Sequence, residues 1–398
     1  MVREATVKFF GSFVLLAALG SLAMPASAQV KVETVPDKPA GAHWLWLTNM
    51  EYGHYSKSVL YNADTGYVLG AIDIGWEGDK QEIPRSGNEL YSAAVYMSRG
   101  FRGTRTDVIQ VTDKHTLLPL REIVIPGKTI KGWPDPTLTA LSDDDAFMYV
   151  QFMAPGSSIG VVDLKNNVFG SEVETAGCAH VMAAGKRRFI SLCGDGSLLA
   201  VTIDDTGHEV SRKHYPGFFD ADKDPVHGSG ARSGDIWYFA SHRGQVHSVD
   251  VSGPELKLLP TWQVATPQAM KAGAKPSGKT WIPAAFMQSV AIHTRLNRLY
   301  LAMQLSDLKP KLSGYDFHAA SGTEVWGFDL ASKKPVVKIK TVEPISHLAV
   351  SQDDAPLVYA GDIWNLQGGR VGIYDEKSGK HLRDLVVVEM PSVLQPVE

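Results

Sequence analysis

The chain has 398 residues, of which 44% are hydrophobic and 21% are charged. This is the composition of a globular protein with a large core, and it excludes a disordered or a fibrous chain. The 39 Lys and Arg residues face 43 Asp and Glu residues, so the formal net charge is −4. Since there is neither a basic excess nor a basic run, the sequence argues against nucleic-acid binding.

The N-terminal segment has the pattern of an export signal. Arg3 and Lys8 begin it, residues 9–22 are almost wholly apolar, and residues 26–28 (Ala-Ser-Ala) offer the small side chains that a signal peptidase requires. The apolar run is about 14 residues long, short of the ~20 that a membrane-spanning helix needs. We therefore expect residues 1–28 to be a signal peptide and the mature protein to be exported without a membrane segment.

A short motif recurs along the rest of the chain. A run of β-branched or aromatic residues ends in Asp or Asn, and a polar turn that often contains Gly follows. The residues that end the runs are Asn62, Asp113, Asp163, Asp204, Asp250, Asp329 and Asp375. Most of them are roughly 40 to 50 residues apart, which is the length of one four-stranded blade. Because Asp, Asn and Gly favour tight turns, each should begin the hairpin turn between the third and fourth strands of a blade.

These repeats predict an all-β fold, a seven-bladed β-propeller with four-stranded antiparallel blades, over residues 43–398, preceded by a short arm at residues 29–42. An array of two-sheet sandwiches is the alternative, but it would not need seven similar units. The longest interval, between Asp250 and Asp329, predicts an insertion rather than an extra blade, with residues 309–317 as its exposed loop.

Cys178 and Cys193 are the two cysteines of the chain. In an exported protein a disulfide is the simplest expectation for such a pair. Two alternatives stay open: both could be buried free thiols, or they could form a metal site together with His180, although no fourth ligand stands at a recognised spacing.

No catalytic motif is recognisable in the sequence. It contains no HExxH, GxSxG, P-loop, helix-opening GxGxxG or CxxCH motif. The acidic runs at residues 143–145 and 220–224 could bind calcium, but solvated turns are the more common explanation. His293 lies in an apolar strand pattern and is expected to be structural. We therefore expect neither catalytic residues nor a metal site, and instead a platform that binds ligands or partners at one end of the propeller.

A family resemblance becomes visible around residues 98–107. Residues 102–107 read RGxRxD through Arg102, Arg105 and Asp107, and Arg99 precedes them. Further matches follow in order at residues 160–164, the two cysteines with residues 195–198, Trp281 and Pro283, residues 297–300 and residues 351–353. Over residues 43–390 the chain resembles the large subunit of quinoprotein amine dehydrogenases, closer to the methylamine branch than to the aromatic amine branch. The matching arginines and Asp107 are then structural or interface residues.

The resemblance implies the large, non-catalytic subunit of a periplasmic amine dehydrogenase. Two such subunits would hold two small subunits, each of which carries the cofactor tryptophan tryptophylquinone, and this chain itself would hold no cofactor. Primary amines would be oxidised to aldehyde and ammonia, and the electrons would pass to a blue copper protein such as amicyanin or azurin. The two cysteines also match the family.

The family places an aromatic residue of this subunit at the mouth of the substrate channel, near the end of the first strand. The matching residue in this chain is Tyr52, with Met50 as the second candidate, and an ordinary exposed loop residue is the alternative. The arm at residues 29–42 is shorter than that of the methylamine enzymes. Two other functions stay open: a stand-alone periplasmic propeller without a redox role, and a propeller hydrolase such as a lactonase, which would need acidic and Asn metal ligands in the central channel.

Overall fold

Strands account for all the regular secondary structure that the described residues contain. The computed structural model describes residues 33–50, 53–132, 135–269, 278–284, 288–307, 321–362, 369–387 and 390–398, with Met50 described by its backbone alone. Blade 1 contains β1 (Trp44–Met50), β2 (Tyr55–Asn62) and β3 (Val68–Trp76). Blade 2 contains β4 (Gln81–Glu82), β5 (Glu89–Met97), β6 (Arg105–Asp113) and β7 (Pro119–Ile125).

Three further blades follow in chain order. Blade 3 contains β8 (Thr139–Leu141), β9 (Phe147–Phe152), β10 (Ser158–Asp163) and β11 (Val168–Glu174). Blade 4 contains β12 (Cys178–Ala183), β13 (Arg188–Cys193), β14 (Leu198–Ile203) and β15 (Glu209–Tyr215). Blade 5 contains β16 (Ala231–Ser233), β17 (Ile236–Ala240), β18 (Gln245–Asp250) and β19 (Lys257–Gln263).

The last two blades and one additional strand complete the ring. Blade 6 contains β20 (Thr266–Pro267), β21 (Thr280–Pro283), β22 (Val290–His293), β23 (Arg298–Ser306), β24 (Gly322–Asp329) and β25 (Pro335–Ile345). Blade 7 contains β26 (His347–Val350), β27 (Leu357–Gly361), β28 (Arg370–Asp375) and β29 (His381–Val386), and β30 (Met390–Val397) ends the chain. All strand pairs within the blades are antiparallel, so the predicted seven-bladed β-propeller is confirmed.

The two ends of the propeller sequence meet in blade 1. β30 pairs with β1 from Trp44 opposite Val397 to Met50 opposite Met390, so the last strand of the chain becomes the innermost strand of the first blade. The repeat pattern did not predict this closure. It joins residues more than 300 positions apart, and such a pairing leaves no local signal in the sequence.

The core lies in the seams between neighbouring blades. Each of the seven buried clusters combines side chains from two adjacent blades; Leu45 and Tyr359, for example, join blades 1 and 7, and Phe147 and Phe189 join blades 3 and 4. Because both faces of a blade are covered in this way, its middle strands are nearly continuous apolar runs.

The seven repeat markers begin the turns between the third and fourth strands, as predicted. Their side-chain oxygens accept hydrogen bonds from backbone N–H groups further along each turn: Asn62 from Asp64 at 2.9 Å, and Asp204 from Thr206 at 2.8 Å. The same pattern occurs at Asp113, Asp163, Asp250, Asp329 and Asp375. The turn therefore explains why Asn or Asp occurs at all seven marker positions, because their side chains can take the place of a backbone hydrogen-bond acceptor there.

The long interval before Asp329 contains an insertion rather than an eighth blade, as predicted. The hairpin of β20 and β21 adds to blade 6, where β21 pairs with residues 303–306 of β23 and β22 pairs with residues 298–301. The predicted exposed loop at residues 309–317 lies outside the described residues.

Residues 34–398 form one compact unit. In the arm, the Val35 amide donates to the His115 carbonyl at 2.8 Å and the Val35 side chain is buried between blades 1 and 2.

The predicted signal peptide lies outside the described residues and stays a prediction. Within the part of the chain that the structure describes, no helix is long and apolar enough to cross a membrane.

Candidate functional site

The two ends of the ring differ in what they carry. The seven Asx turns lie at one end, which we call the lower face. The opposite end, the upper face, carries the turns between the second and third strands of each blade and the connections from one blade to the next. Two described parts of the segments that the sequence singled out, Gly53 with His54 and residues 98–104, belong to the upper face.

The RGxRxD motif begins in the turn between β5 and β6 and continues into the first residues of β6. The Ser98 amide donates to the Thr104 carbonyl at 3.0 Å, and the Arg99 amide donates to the Arg102 carbonyl at 2.9 Å. Gly103 has a φ of +104°, and a side chain there would collide with the Ser98 hydroxyl. The turn therefore requires glycine at this position.

The second half of the motif is an ion pair between the partly exposed Arg105 and the buried Asp107. The Arg105 guanidinium donates to both carboxylate oxygens of Asp107, at 2.6 and 2.7 Å, and to the Thr129 carbonyl at 2.9 Å. Asp107 is buried and also accepts from the amide and the hydroxyl of Thr129 at 3.1 and 2.6 Å. Arg105 and Asp107 are thus structural residues, which attach the base of the hairpin to the connection leading to blade 3.

The tip of the hairpin packs against the turn that follows β1. The Phe101 ring makes an edge contact with His54 at 5.0 Å between centroids and lies 6.2 Å from Tyr55. The Tyr55 hydroxyl donates to the Gly100 carbonyl at 3.1 Å, and its ring stacks on Tyr96 at 6.0 Å. The structure therefore brings together the family motif and the segment next to the predicted channel mouth.

The predicted channel residues themselves stay predictions. Tyr52 lies outside the described residues, and the backbone of Met50, which ends β1, is the only part of that residue that is described.

Glu77 fixes the turn after β1, and sequence reasoning missed it. Its carboxylate accepts from the Gly53 amide at 2.7 Å, and its own amide donates to the His54 carbonyl at 2.9 Å. Gly132, whose added side chain would lie 2.9 Å from the Glu77 carboxylate, leaves room for this contact. Because the partners are 24 positions apart and on different elements, no local pattern could have indicated the pair.

Two polar pairs involve the connections that lead into blades 2 and 3, one of them together with β12 of blade 4. Lys131 lies 3.4 Å from Asp79, and His180 lies 3.5 Å from Asp135 and 2.7 Å from the Thr137 hydroxyl. Burial alone would raise the pKa of Asp135 and lower that of His180, but each stabilises the charged form of the other. The pKa of Asp135 is therefore lowered and that of His180 is raised.

Further polar contacts join residues of different blades that lie in, or before, the innermost strands. Gln288 exchanges hydrogen bonds with the backbone of Leu394 at 2.7 and 2.8 Å, and the Gln395 amide group donates to the Gln81 carbonyl at 3.0 Å. His227 lies 3.3 Å from the Ser289 hydroxyl, and burial lowers its pKa to about 3. At neutral pH His227 is therefore uncharged, and these contacts fit a structural role in closing the ring.

The predicted disulfide is confirmed. Cys178 and Cys193 face each other across β12 and β13 and are bonded. The one group of three metal-binding side chains among the described residues is this pair with His214, and its sulfurs are already bonded to each other. The alternative of a metal site with His180 is wrong, because His180 pairs with Asp135.

The acidic run at residues 143–145 connects blades. Asp143 accepts two hydrogen bonds from Arg232 at 2.6 and 2.8 Å, and Asp144 accepts from Arg187 at 2.9 Å. Burial alone would raise the pKa of Asp143, but the two hydrogen bonds and the charge of Arg232 lower it. The carboxylates of Asp143 and Asp144 are therefore used for ion pairs between blades.

A cavity of about 590 Å³ is lined largely by residues from the innermost strands of blades 1 to 5. Its lining includes Lys80, Glu82, Thr139, Arg232 and the C-terminal Glu398. Lys80 and Glu82 form an ion pair at 2.8 Å, and the Thr139 hydroxyl donates to Glu82 at 2.5 Å. The buried carboxylate of Glu82 is thus paired with groups of the chain itself, which does not favour a lactonase-type metal site.

The protein is a seven-bladed β-propeller. On its upper face, the hairpin tip that contains the start of the RGxRxD motif and the turn that follows β1 form one structured patch. Comparison with known proteins then identifies the family. The chain belongs to the methylamine dehydrogenase heavy chain family, whose family model matches residues 50–393. The resemblance predicted from the sequence is thereby confirmed.

Individual relatives agree with this assignment. The chain is 27% identical over 334 residues to the methylamine dehydrogenase heavy chain of Methylorubrum extorquens, covering 82% of this chain and 75% of that protein. It is 28% identical over 308 residues to the heavy chain of Methylophilus methylotrophus, covering 76% and 71%. A solved structure of a 6-phosphogluconolactonase candidate from Bacteroides fragilis aligns with a TM-score of 0.55 at 12% identity, over 91% of this chain and all of that one, and shows the fold alone.

Proposed function

We propose that the chain is the heavy subunit of a periplasmic methylamine-oxidising dehydrogenase. A smaller partner subunit carries tryptophan tryptophylquinone, which accepts two electrons as the amine is converted to aldehyde and ammonia, and a blue copper protein receives the electrons. The family match over residues 50–393 is the observation that carries the proposal. The export pattern at residues 1–28 supports the periplasmic location.

In this proposal the chain supplies a rigid frame and one wall of the substrate channel. Glu77 holds the turn at Gly53 and His54 from both sides, so the backbone that follows Tyr52 has a fixed position. The hairpin tip supports the same turn through Phe101. Such a wall can select amines by size and polarity without taking part in bond making.

Purification from the periplasm tests the proposal. A tagged chain should copurify with a small, cysteine-rich subunit encoded beside its own gene, and the complex should absorb visible light as the quinone does. A chain recovered alone from cells that grow on methylamine would instead support the stand-alone binding propeller.

The channel role of Tyr52 gives a sharper prediction. In the assembled enzyme, Tyr52→Ala should change KM and the order of preference among methylamine, butylamine and an aromatic amine, because an aromatic ring at a channel mouth affects access and fit. It should leave the rate at saturating methylamine largely unchanged, since the ring takes no part in proton transfer.

Tyr67→Ala is the matched control, because Tyr67 is 75% exposed in a turn of the lower face. If kcat/KM for all three amines stays within about twofold of wild type, too little for a pocket contact, Tyr52 is an ordinary loop residue. Met50 would then be the next position to substitute.

A further inference from the structure

The tip of the β5–β6 hairpin presents an unusual set of side chains to solvent. Phe101 is 57% exposed, and Arg99 and Arg102 on either side of it are exposed as well. Neither arginine forms an ion pair with another described residue. Aromatic residues and arginine are the types most enriched where protein interfaces gain their binding energy.

The tip is also held in one conformation before any partner binds. Two backbone hydrogen bonds and Gly103 close the turn, and the Arg105–Asp107 pair anchors its base. Phe101 rests on the ring of His54. A preorganised anchor loses little conformational entropy on binding, so more of its contact energy contributes to affinity.

The position of the tip indicates which partner it meets. It contacts the turn at residues 53–55, which adjoins Tyr52 in the sequence, and the proposed function places Tyr52 at the mouth of the channel that leads to the cofactor of the small subunit. Among the described residues, most other exposed large apolar side chains, such as Val68, Val124 and Val386, lie on outer strands. The tip is thus continuous with the expected subunit boundary.

We propose that residues 98–104 form a docking anchor for the small subunit. Phe101 enters an apolar socket of that subunit, and Arg99 and Arg102 pair with carboxylates at the rim of the socket. This inference rests on the proposed function, because it requires that the small subunit exists. The apolar contact contributes affinity, and the two guanidinium groups contribute association rate and orientation.

The test measures assembly of the full heavy chain with the small subunit by dilution of the purified complex. Phe101→Ala should raise the dissociation constant at least about tenfold, as expected for an interface hot spot. The double variant Arg99→Glu, Arg102→Glu should weaken assembly by a similar factor. Added salt should then restore part of the affinity, because attraction becomes repulsion and salt screens it. Arg99→Lys with Arg102→Lys should retain most of the association rate.

Matched controls lie on the lower face. Tyr67→Ala removes an exposed aromatic ring, and Arg295→Glu reverses the charge of an exposed arginine in the connection from β22 to β23. Both should leave assembly within about twofold of wild type, as expected for residues outside an interface. Circular dichroism and the thermal midpoint confirm that each variant is folded.

The outcomes separate this inference from the proposed function. If the wild-type chain binds no small subunit, the proposed function fails and this inference fails with it. If wild type assembles and the tip variants dissociate like the controls, the docking anchor is overturned while the proposed function stands. If the tip variants assemble normally but pass electrons to the copper protein more slowly, the tip serves the electron acceptor, and docking of the small subunit is likewise overturned.

Discussion

In the seam between blades 1 and 2, the hydroxyl groups of Thr48 and Ser58 have no hydrogen-bond partner among the residues that the structure describes. Thr48 and Ser58 lie opposite each other on β1 and β2, and both are fully buried. The side chains next to them in the same seam, Trp46 and Leu60, are apolar. A buried hydroxyl that has lost its water and gained no partner costs free energy, of the order of 1–3 kcal/mol.

Thr48→Val is therefore expected to stabilise the protein. The change keeps the shape of the side chain and removes the unpaired hydroxyl, so the free energy of unfolding in urea should rise by about 1 kcal/mol. Ser392→Ala is the control: the buried Ser392 hydroxyl donates to the Thr48 carbonyl at 3.0 Å, and its loss should lower the free energy of unfolding. If both variants lower the free energy of unfolding by the same amount, the Thr48 hydroxyl does form a hydrogen bond in the folded protein.

The pair of His180 and Asp135 predicts a pH dependence of stability. Because the pKa of His180 is raised in the folded protein, its charged form stabilises the fold fully below its ordinary pKa of about 6.5, and this contribution disappears as the pH rises through the raised value. Asp135, whose pKa is lowered, loses its contribution as the pH falls through that lowered value. The pair therefore stabilises most at mildly acidic pH.

Thermal midpoints of His180→Gln measured across pH test this. The difference from wild type should be largest near pH 5–6, between the two ordinary pKa values of about 4 and 6.5, and should shrink above pH 7. Asp135→Asn should lose the same pH dependence, since it removes the other half of the pair. A difference that stays constant from pH 5 to pH 9 would contradict the charged pair.

The strands and turns show what a sequence can and cannot predict. The Asx turns at Asn62 and Asp204 were predictable because each marker bonds to residues two to four positions away. The RGxRxD motif was recognisable, but the sequence could not show that it divides into a structural ion pair and an exposed tip. Thr129, which completes the pair, lies on another connection. Glu77 and the pairing of β30 with β1 depend on the fold itself.

Removal of residues 390–398 tests the closure of the ring. The deletion removes the innermost strand of blade 1 together with its buried side chains Val393 and Leu394, and it exposes one edge of β1 and the apolar side chains that packed against them. We expect the cooperative unfolding transition to be lost, because an unpaired strand edge and its apolar neighbours become exposed to water. Deletion of Glu398 alone is the control, since it lies beyond β30 and should leave the transition unchanged. A truncated chain that unfolds cooperatively at the wild-type temperature would contradict the closure.

The blades differ in how far they extend at the upper face. The third strands of blades 1, 2 and 6 have 8, 9 and 8 residues, whereas those of blades 3, 4, 5 and 7 have 6 each. Since all seven end at an Asx turn on the lower face, the extra residues extend the upper face by about 7–10 Å at roughly 3.3 Å per residue. Neighbouring blades 1 and 2, which carry the docking anchor, therefore rise above blades 3 to 5.

This asymmetry suits a subunit that holds one partner in a defined orientation. A symmetric ring would offer a partner seven equivalent positions, whereas the taller blades and the hairpin tip distinguish one. The sequence could predict the ring from its repeats, but the shape of the upper face follows from strand lengths and from contacts such as that of Phe101 with His54.

The heavy-subunit role is tested most directly by comparing amine oxidation by the isolated chain and by the coexpressed pair of subunits. The purified chain alone should reduce no dye in the presence of methylamine. The chain coexpressed with the small subunit encoded beside it, together with the proteins that mature the quinone, should reduce dye at a rate proportional to its quinone absorbance. Methylamine-dependent dye reduction by the isolated chain would contradict the assignment, and so would a fully assembled, quinone-bearing complex that oxidises no primary amine.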